Sequence, residues 1–264
     1  MITAVALFVL GLIFGSFVTA LVWRLHEHKD WVTGRSQCTN CGHQLNSADL
    51  VPVFSWLYLR GKCRYCKAPI SSGYPLTELM LGSSFVISYL LWPVNLAGAQ
   101  WILFVSWLAV SICLTALFIY DLRWMLLPSR LIYSALLVAA ASNLAYLTTQ
   151  DDKTKFMLNW VLSVAVASGI FFILHIVSQG KWIGFGDVRL GLVTGTVLHK
   201  PALSFLMIFI ASLLGTAFVL PSLITRQMKV SMRLPYGPFL ILSTVICLLV
   251  GQSILDWYVN LVSF

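Results

Sequence analysis

Long apolar runs separated by short polar stretches set the pattern of this chain. They lie near residues 2–23, 75–93, 100–120, 131–148, 157–178, 188–199, 202–224 and 238–255. Most reach the roughly 20 residues that a helix needs to cross the hydrocarbon core. No ten-residue segments of alternating hydrophobicity suggest a membrane barrel. The pattern predicts an all-α polytopic membrane protein with about eight transmembrane helices, the sixth short and glycine-rich. The first run has no positive residue before it, is too long for a signal-peptide core and has no small-residue cleavage site after it, so it is expected to be a retained helix. Residues 24–74, between the first two spans, break the pattern: they are polar, basic and cysteine-bearing. The expected organisation is a first transmembrane helix at 1–23, a small loop domain at 24–74 and a helical bundle at 75–264. No internal repeat or low-complexity tract is visible.

Composition excludes a soluble domain. Mean hydropathy is +0.88, and charged residues make up 10% of the 264 positions, against roughly 25% in soluble domains. The placement of Lys and Arg gives the orientation. One side of the expected bundle collects 14 of them, among them Arg24, Arg60, Lys62, Arg123, Arg130, Lys181, Arg189, Arg226, Lys229 and Arg233. The other side has Lys153, Lys155 and Lys200. The positive-inside rule puts the first side, with the 24–74 loop, in the cytoplasm and both termini outside. The net charge of +8 is then mainly a topology signal. It suits anionic membrane lipid and gives no argument for nucleic acid.

The loop contains "CTNCGHQLNSADLVPVFSWLYLRGKCRYC", in which Cys38, Cys41, Cys63 and Cys66 form two CxxC pairs. One CxxC turn points two thiolates at one ion and two turns complete a tetrahedral shell, so a zinc-binding loop domain is expected, with Gly42 easing the first turn. Arg60, Lys62, Arg64 and Lys67 offset the negative zinc-tetrathiolate. Four thiolates leave no open position for water, which makes the ion structural. The competing readings are two disulfides, disfavoured in the cytoplasm, and a redox pair, whose usual strand and helix setting is missing. Replacement of one ligand by His26, His28 or His43 is the lesser option. Cys113 and Cys247 lie in apolar spans and read as small buried hydrophobes.

Only nine acidic residues are present. Glu78, Asp121 and Asp187 fall at membrane depth or its edge, where a charge costs about 2.5–3.5 kcal/mol on insertion scales and ionisable residues mark function by default. Asp121 ends the third span and Asp187, in "WIGFGDVRLG", begins the sixth, so both lie at the inner face. Two carboxylates brought together hold a single proton between them. One then activates water while the other polarises a peptide carbonyl. Gly184 and Gly186 allow a tight turn and close approach of a substrate strand. Each residue also has a structural reading: Asp121 paired with Arg123 or Arg130, Asp187 as a helix N-cap, Glu78 as a first-turn carboxylate facing the helix dipole. Pro235, Gly237 and Pro238 in "LPYGPFL" read as a rigid turn that ends a loop or shapes a channel.

Five segments in order, "GLIFGSFVTALVWRL", the cysteine loop through "ISSGYPLTELM", "YDLRWMLLPSRL", "GFGD" and "LPYGPFL", resemble the bifunctional type IV prepilin peptidases, GxGD-type intramembrane aspartyl proteases. The resemblance implies cleavage of the basic leader of prepilins or pseudopilins after a glycine, at the cytoplasmic face of the bacterial inner membrane. N-methylation of the freed amine with S-adenosylmethionine follows, in service of type IV pili or type II secretion. It implies that Asp121 and Asp187 are catalytic, that the four cysteines are the family's cluster, and that Glu78 belongs to a region associated with methylation. The chain departs from the family pattern at Thr19, Gly73 and Ser129. No glycine-rich nucleotide loop is present, so the methyl-donor residues are unassigned. The particular substrate and the oligomeric state are not encoded in the pattern. An ion-coupled transporter with a zinc-stabilised gate, or an assembly factor using its aspartates as fasteners, are the rival readings. The edge position of the pair and the missing repeat weigh against the transporter.

Overall fold

The computed structural model describes residues 1–30, 34–224 and 235–263. Arg226, Lys229, Arg233 and Leu234, used above, lie outside them. Every regular element among the described residues is helical. Two compact units divide the chain, Met1–Leu90 and Leu91–Phe264.

The first unit contains α1 (Ile2–His26), a short 3-10 turn (Ser47–Asp49), α2 (Phe54–Tyr58) and α3 (Gly73–Leu90). α1 and α3 lie side by side because glycines remove the side chains that would hold them apart. A Cβ on Gly11 would sit 2.6 Å from the Gly82 Cα, and one on Gly15 2.5 Å from the Glu78 Cα. This is the small-residue packing that joins helices in lipid, where apolar burial alone gives little. Val18, Leu81 and Phe85 fill the seam. Two of the family departures are absorbed locally: Thr19 Oγ1 donates to the Ser16 carbonyl, and the Gly73 amide donates to Ser71 Oγ.

The second unit is a bundle of α4 (Gln100–Trp124), α5 (Ser129–Leu147), α6 (Lys153–Val177), α7 (Phe185–Leu198), α8 (Pro201–Ile224) and α9 (Gly237–Val262). Leu114, Leu117, Ile132, Leu190, Met207 and Leu240 form its core. α7 uses the same device as the α1–α3 pair: Cβ atoms on Gly191 and Gly195 would meet the α6 backbone at 2.7 Å each. Polar side chains then fasten α7. Ser168 Oγ donates to the Val188 carbonyl, Ser163 Oγ to Gly195 and Asn143 Nδ2 to Thr196. The glycine-rich character of the expected sixth span is thus a packing surface. Elsewhere the outward faces are apolar, as for Leu137, Phe205 and Phe218, which suits lipid as solvent.

Six helices are long and apolar enough to cross a membrane among the described residues: α1, α4, α5, α6, α8 up to Pro221, and α9. The other two expected spans are helices with different character. α3 has 18 residues, but Glu78, Ser83, Ser84 and Ser88 lower its hydropathy. α7 has 14 residues, a length of about 21 Å against a hydrocarbon core of about 30 Å.

Candidate active site and metal centre

The cysteine loop folds into two matching turns. In the first, the Cys38 amide donates to the His43 carbonyl and the Gly42 amide to the Cys38 carbonyl, at 2.9 Å each. In the second, the Cys63 amide donates to Ala68 at 2.8 Å and the Lys67 amide to Cys63 at 3.1 Å. Each turn closes on an isolated antiparallel bridge, Gln37 with Gln44 and Lys62 with Pro69. The residue after each pair is left-handed: Gly42 has φ +71, the role expected for it, and Lys67 has φ 61, where a Cβ makes the conformation less comfortable. "CTNCGH" and "CRYCKA" are therefore one motif in backbone, a repeat that side-chain identity conceals.

The four Sγ atoms lie within 4.8 Å of one another, and Cys38 and Cys66 are 3.9 Å apart. A tetrahedral zinc with Zn–S of about 2.3 Å needs sulfurs about 3.8 Å apart, so the cluster fits a metal ion. Electrostatics point the same way. Backbone amides hold two thiols down, Cys41 and Asn40 acting on Cys38 and Ala68 and the Asn40 side chain bringing Cys66 to about 6. Despite the His43 amide, desolvation and the Cys66 and Cys38 sulfurs push the Cys41 thiol up to about 11. Two thiolates make the next ionisation harder, and a divalent cation removes that obstacle. Among the described residues no histidine joins the cluster; His43 stacks on Tyr65, with ring centroids 3.6 Å apart. Arg64 Nε meets Asp49 Oδ1 at 2.6 Å and ties the second turn to the 3-10 turn between the pairs. Of the basic residues expected to offset the cluster, Arg64 is thus committed to a carboxylate.

Glu78 is 6% exposed. α3 starts at Gly73, so Glu78 lies beyond the first turn and the helix-dipole reading does not apply to it. Its Oε2 accepts the Val53 amide at 2.7 Å. Val53 has φ 62, a genuine outlier for a β-branched residue. The carboxylate thus pins a strained bend ahead of α2.

In the second unit, Asp121 sits in the last turn of α4 and is 5% exposed. α4 stops just beyond it, where Met125 turns left-handed and returns its amide to the Asp121 carbonyl at 2.8 Å. Asp121 Oδ2 accepts the Gly237 amide at 3.1 Å. Among the described residues it forms no ion pair with Arg123 or Arg130; Arg123 lies over the Trp124 ring instead. The N-cap of α7 is Gly184, with φ −73 and ψ 151, so Asp187 is the third helical residue and not the cap. It is half-buried. Leu127, just past α4, would lie 3.1 Å from a Cβ on Gly186 and 3.5 Å from one on Gly237, and the Gly237 amide binds Asp121, so the end of α4, the start of α7 and the start of α9 lie together.

The glycines of "GFGD" were expected to permit a tight turn and close approach. Neither Gly184 nor Gly186 has a positive φ, so the turn does not require them. Clearance matters at Gly186, where a Cβ would come 3.1 Å from Leu127 Cδ1; a Cβ on Gly184 would make only ordinary contact, 3.7 Å from Asp187 Oδ2. Sequence reasoning also missed three contacts. A Cβ on Gly237 would lie 2.7 Å from Asp121 Oδ2, so glycine is needed for α9 to begin against the carboxylate. Ser129, another departure from the family pattern, accepts a hydrogen bond from Arg189, which joins α5 to α7 beside Asp187. Tyr236 stacks edge-on against Phe171, centroids 5.7 Å apart. "LPYGPFL" signalled a turn, but nothing local signalled what the turn would touch.

Comparison with known proteins gives the family. Residues 9–92 match the Bacterial Peptidase A24 N-terminal domain, and residues 108–220 match the Type IV leader peptidase family. A prepilin leader peptidase/N-methyltransferase of Bacillus subtilis (strain 168) is 28% identical over 97% of this chain and 97% of its own length. One of Aeromonas salmonicida (strain A449) is 31% identical over 89% of this chain and 77% of its own. One of Pseudomonas aeruginosa is 28% identical over 97% and 93%. No solved structure matches. With both halves of the chain matched in order and relatives aligned along most of it, the chain belongs to the type IV leader peptidase family.

Proposed function

We propose that this chain is a multi-pass aspartyl endopeptidase of the bacterial inner membrane. It cuts the leader from type IV prepilins or pseudopilins at the cytoplasmic face and then N-methylates the new N-terminal residue with S-adenosylmethionine. The observation that supports the reading is that Leu127 lies against both Gly186, next to Asp187, and Gly237, whose amide binds Asp121, within a chain of this family. α3 and α7 complete eight transmembrane helices, and the four cysteines hold a structural zinc ion.

In the proposed reaction the ionised carboxylate takes a proton from water as the water oxygen attacks the scissile carbonyl. The protonated partner donates to the carbonyl oxygen. Collapse of the tetrahedral intermediate breaks the C–N bond, and a carboxyl proton passes to the leaving amine. The Gly237 amide fixes one oxygen of Asp121, and the bare Cα of Gly184 beside Asp187 leaves room for an extended substrate strand. A peptide bond still wound in a helix would not reach the pair. The reading is tested by incubating the lipid-reconstituted protein with a prepilin and S-adenosylmethionine and weighing the product: loss of the leader reports cleavage, and a gain of about 14 Da, one CH₂ group, reports methylation. An intact prepilin would overturn it.

Gly237→Ala is expected to lower cleavage by about 10²-fold, because the added methyl displaces the Asp121 carboxylate and small misplacements cost that much. The check is kcat with melting temperature measured alongside; an unchanged kcat would detach Gly237 from the site. Glu78 separates two roles. Glu78→Ala frees the Val53 bend and is expected to cost about 1–3 kcal/mol, the price of an unsatisfied buried group, read by thermal unfolding. Glu78→Gln keeps an acceptor for Val53 and is expected to preserve the fold while methyl transfer falls. Full methyl transfer in Glu78→Gln would reduce Glu78 to a positioning residue for the bend.

A further inference from the structure

The second unit carries a cavity that the carboxylate pair does not use. About 550 Å³ in volume, it lies among the start of α4, the end of α5, the start of α6, the end of α7, the start of α8 and the last turns of α9. Asp121 ends α4 and Asp187 begins α7, so the cavity occupies the opposite end of the same helices. In a membrane-spanning bundle, helix ends lie where hydrocarbon gives way to headgroups. The volume is that of an ordinary small-molecule site, roughly 300–1,000 Å³.

Its lining has three features that belong together. A row of rings, Tyr146, Phe156 and His199, forms one wall, with successive centroids 5.6 Å apart. At the rim, Lys200 Nζ donates to Gln252 Oε1 at 3.0 Å and Gln252 Nε2 donates to Asp256 Oδ1 at 2.9 Å. The amide keeps a cation and an anion apart, and among the described residues no ion pair joins them. Trp92, on the wall, has an indole N–H that is buried with no acceptor among the described residues. A buried donor without a partner is uncommon and asks for an acceptor brought from elsewhere.

We propose that this cavity binds the headgroup of an amine-bearing zwitterionic phospholipid, with Lys200 on the phosphate and Asp256 on the ammonium. The charge order of the rim complements a molecule whose own anion and cation are separated by a short linker. An anionic phospholipid would satisfy Lys200 and oppose Asp256. The Trp92 N–H is a donor for a phosphate or ester oxygen, and the ring wall receives the glycerol and the first acyl carbons, as aromatic side chains do at membrane interfaces. The shared chemistry is a phosphoethanolamine group, which a free metabolite also carries; the lipid is favoured because the cavity opens at the headgroup level of the bundle.

The inference rests on the membrane-spanning placement and not on proteolysis, so its test uses no prepilin. The full chain, delipidated in detergent, is exchanged with equal amounts of phosphatidylethanolamine and phosphatidylglycerol and examined by native mass spectrometry. One retained phosphatidylethanolamine is expected, preferred by about tenfold. The preference is expected to fall to about onefold in Lys200→Gln and Asp256→Asn, both exposed positions whose change should leave melting untouched. It should persist in Asp151→Asn, an exposed carboxylate outside the cavity. Equal retention of the two lipids by the wild type, or a preference that survives both rim substitutions, would overturn the proposal. Soluble glycerophosphoethanolamine that competes at the same concentration as the lipid would assign the cavity to a metabolite and overturn the lipid assignment.

Discussion

Asp121→Asn and Asp187→Asn are each expected to lower prepilin cleavage by roughly 10²–10⁴-fold, the range supplied by a positioned acid or base. Asparagine has nearly the shape of aspartate, and its side-chain oxygen can still accept the Gly237 amide that Asp121 Oδ2 accepts at 3.1 Å. The fold around α9 should therefore survive. What asparagine cannot do is ionise or share a proton, so the loss belongs to chemistry. The measurement is kcat in lipid, with thermal unfolding as the control. A variant that melts like the wild type and still cuts at the wild-type rate would make its aspartate a structural residue. Asp187, third residue of α7, follows the N-cap Gly184, so the melting control separates any helix-start role of its carboxylate from chemistry.

Removal of the proposed zinc is expected to have the second large effect. Residues 34–72 hold little apolar core of their own: the segment contains one five-residue helix, one 3-10 turn and two isolated bridges, and Cys63 is its one buried hydrophobe. A structural zinc site contributes about 10–16 kcal/mol of apparent binding free energy, and in such domains that energy is folding energy. Chelation, or Cys63→Ser together with Cys66→Ser, is expected to open this segment to protease while α4 to α9 stay protected. The fragment pattern from limited proteolysis, read by mass, checks this. An unaltered pattern in the four-serine variant would remove the metal from the account. Metal content should be one zinc per chain by elemental analysis. Ligands must be deprotonated, so zinc is expected to be held at neutral pH and released as acid protonates the thiolates.

The helices were legible because lipid imposes a blunt constraint: every backbone polar group must be paired within the segment, so long apolar runs can only be helices or barrels. The expected bounds fell within about four residues of α1, α4, α5, α6 and α8 and of the start of α9, which runs on to Val262 where the apolar pattern ended at 255. The two CxxC turns were legible because ligand spacing is local. So was the presence of Asp121 and Asp187, since acidic residues are scarce and carboxylates at membrane depth are costly.

What stayed hidden was of two kinds. Some of it is long-range: the Gly237 amide reaches a carboxylate 116 residues earlier in the chain, and no local pattern encodes that approach. The glycine pairs Gly11/Gly15 and Gly191/Gly195 carried a readable spacing, but their partners on α3 and α6 did not. The rest is conformational. Val53 at φ 62 and Lys67 at φ 61 occupy backbone regions that their side chains disfavour, so residue type predicts against the observed geometry, and only the surrounding contacts hold it. In "GFGD" two glycines suggested a tight turn and close approach; neither has a positive φ, and Gly186 is the one whose missing Cβ leaves room for Leu127.

The central claim is that Asp121 and Asp187 act as one catalytic unit, and a double-mutant cycle on cleavage tests it directly. Prepilin cleavage is measured in lipid for wild type, Asp121→Asn, Asp187→Asn and the double variant. Groups that share a single proton fail together, so the double variant is expected to be no slower than the slower single variant, within about threefold. Two losses that multiply in the double variant would mean that the aspartates act independently, and the shared-proton mechanism would be contradicted.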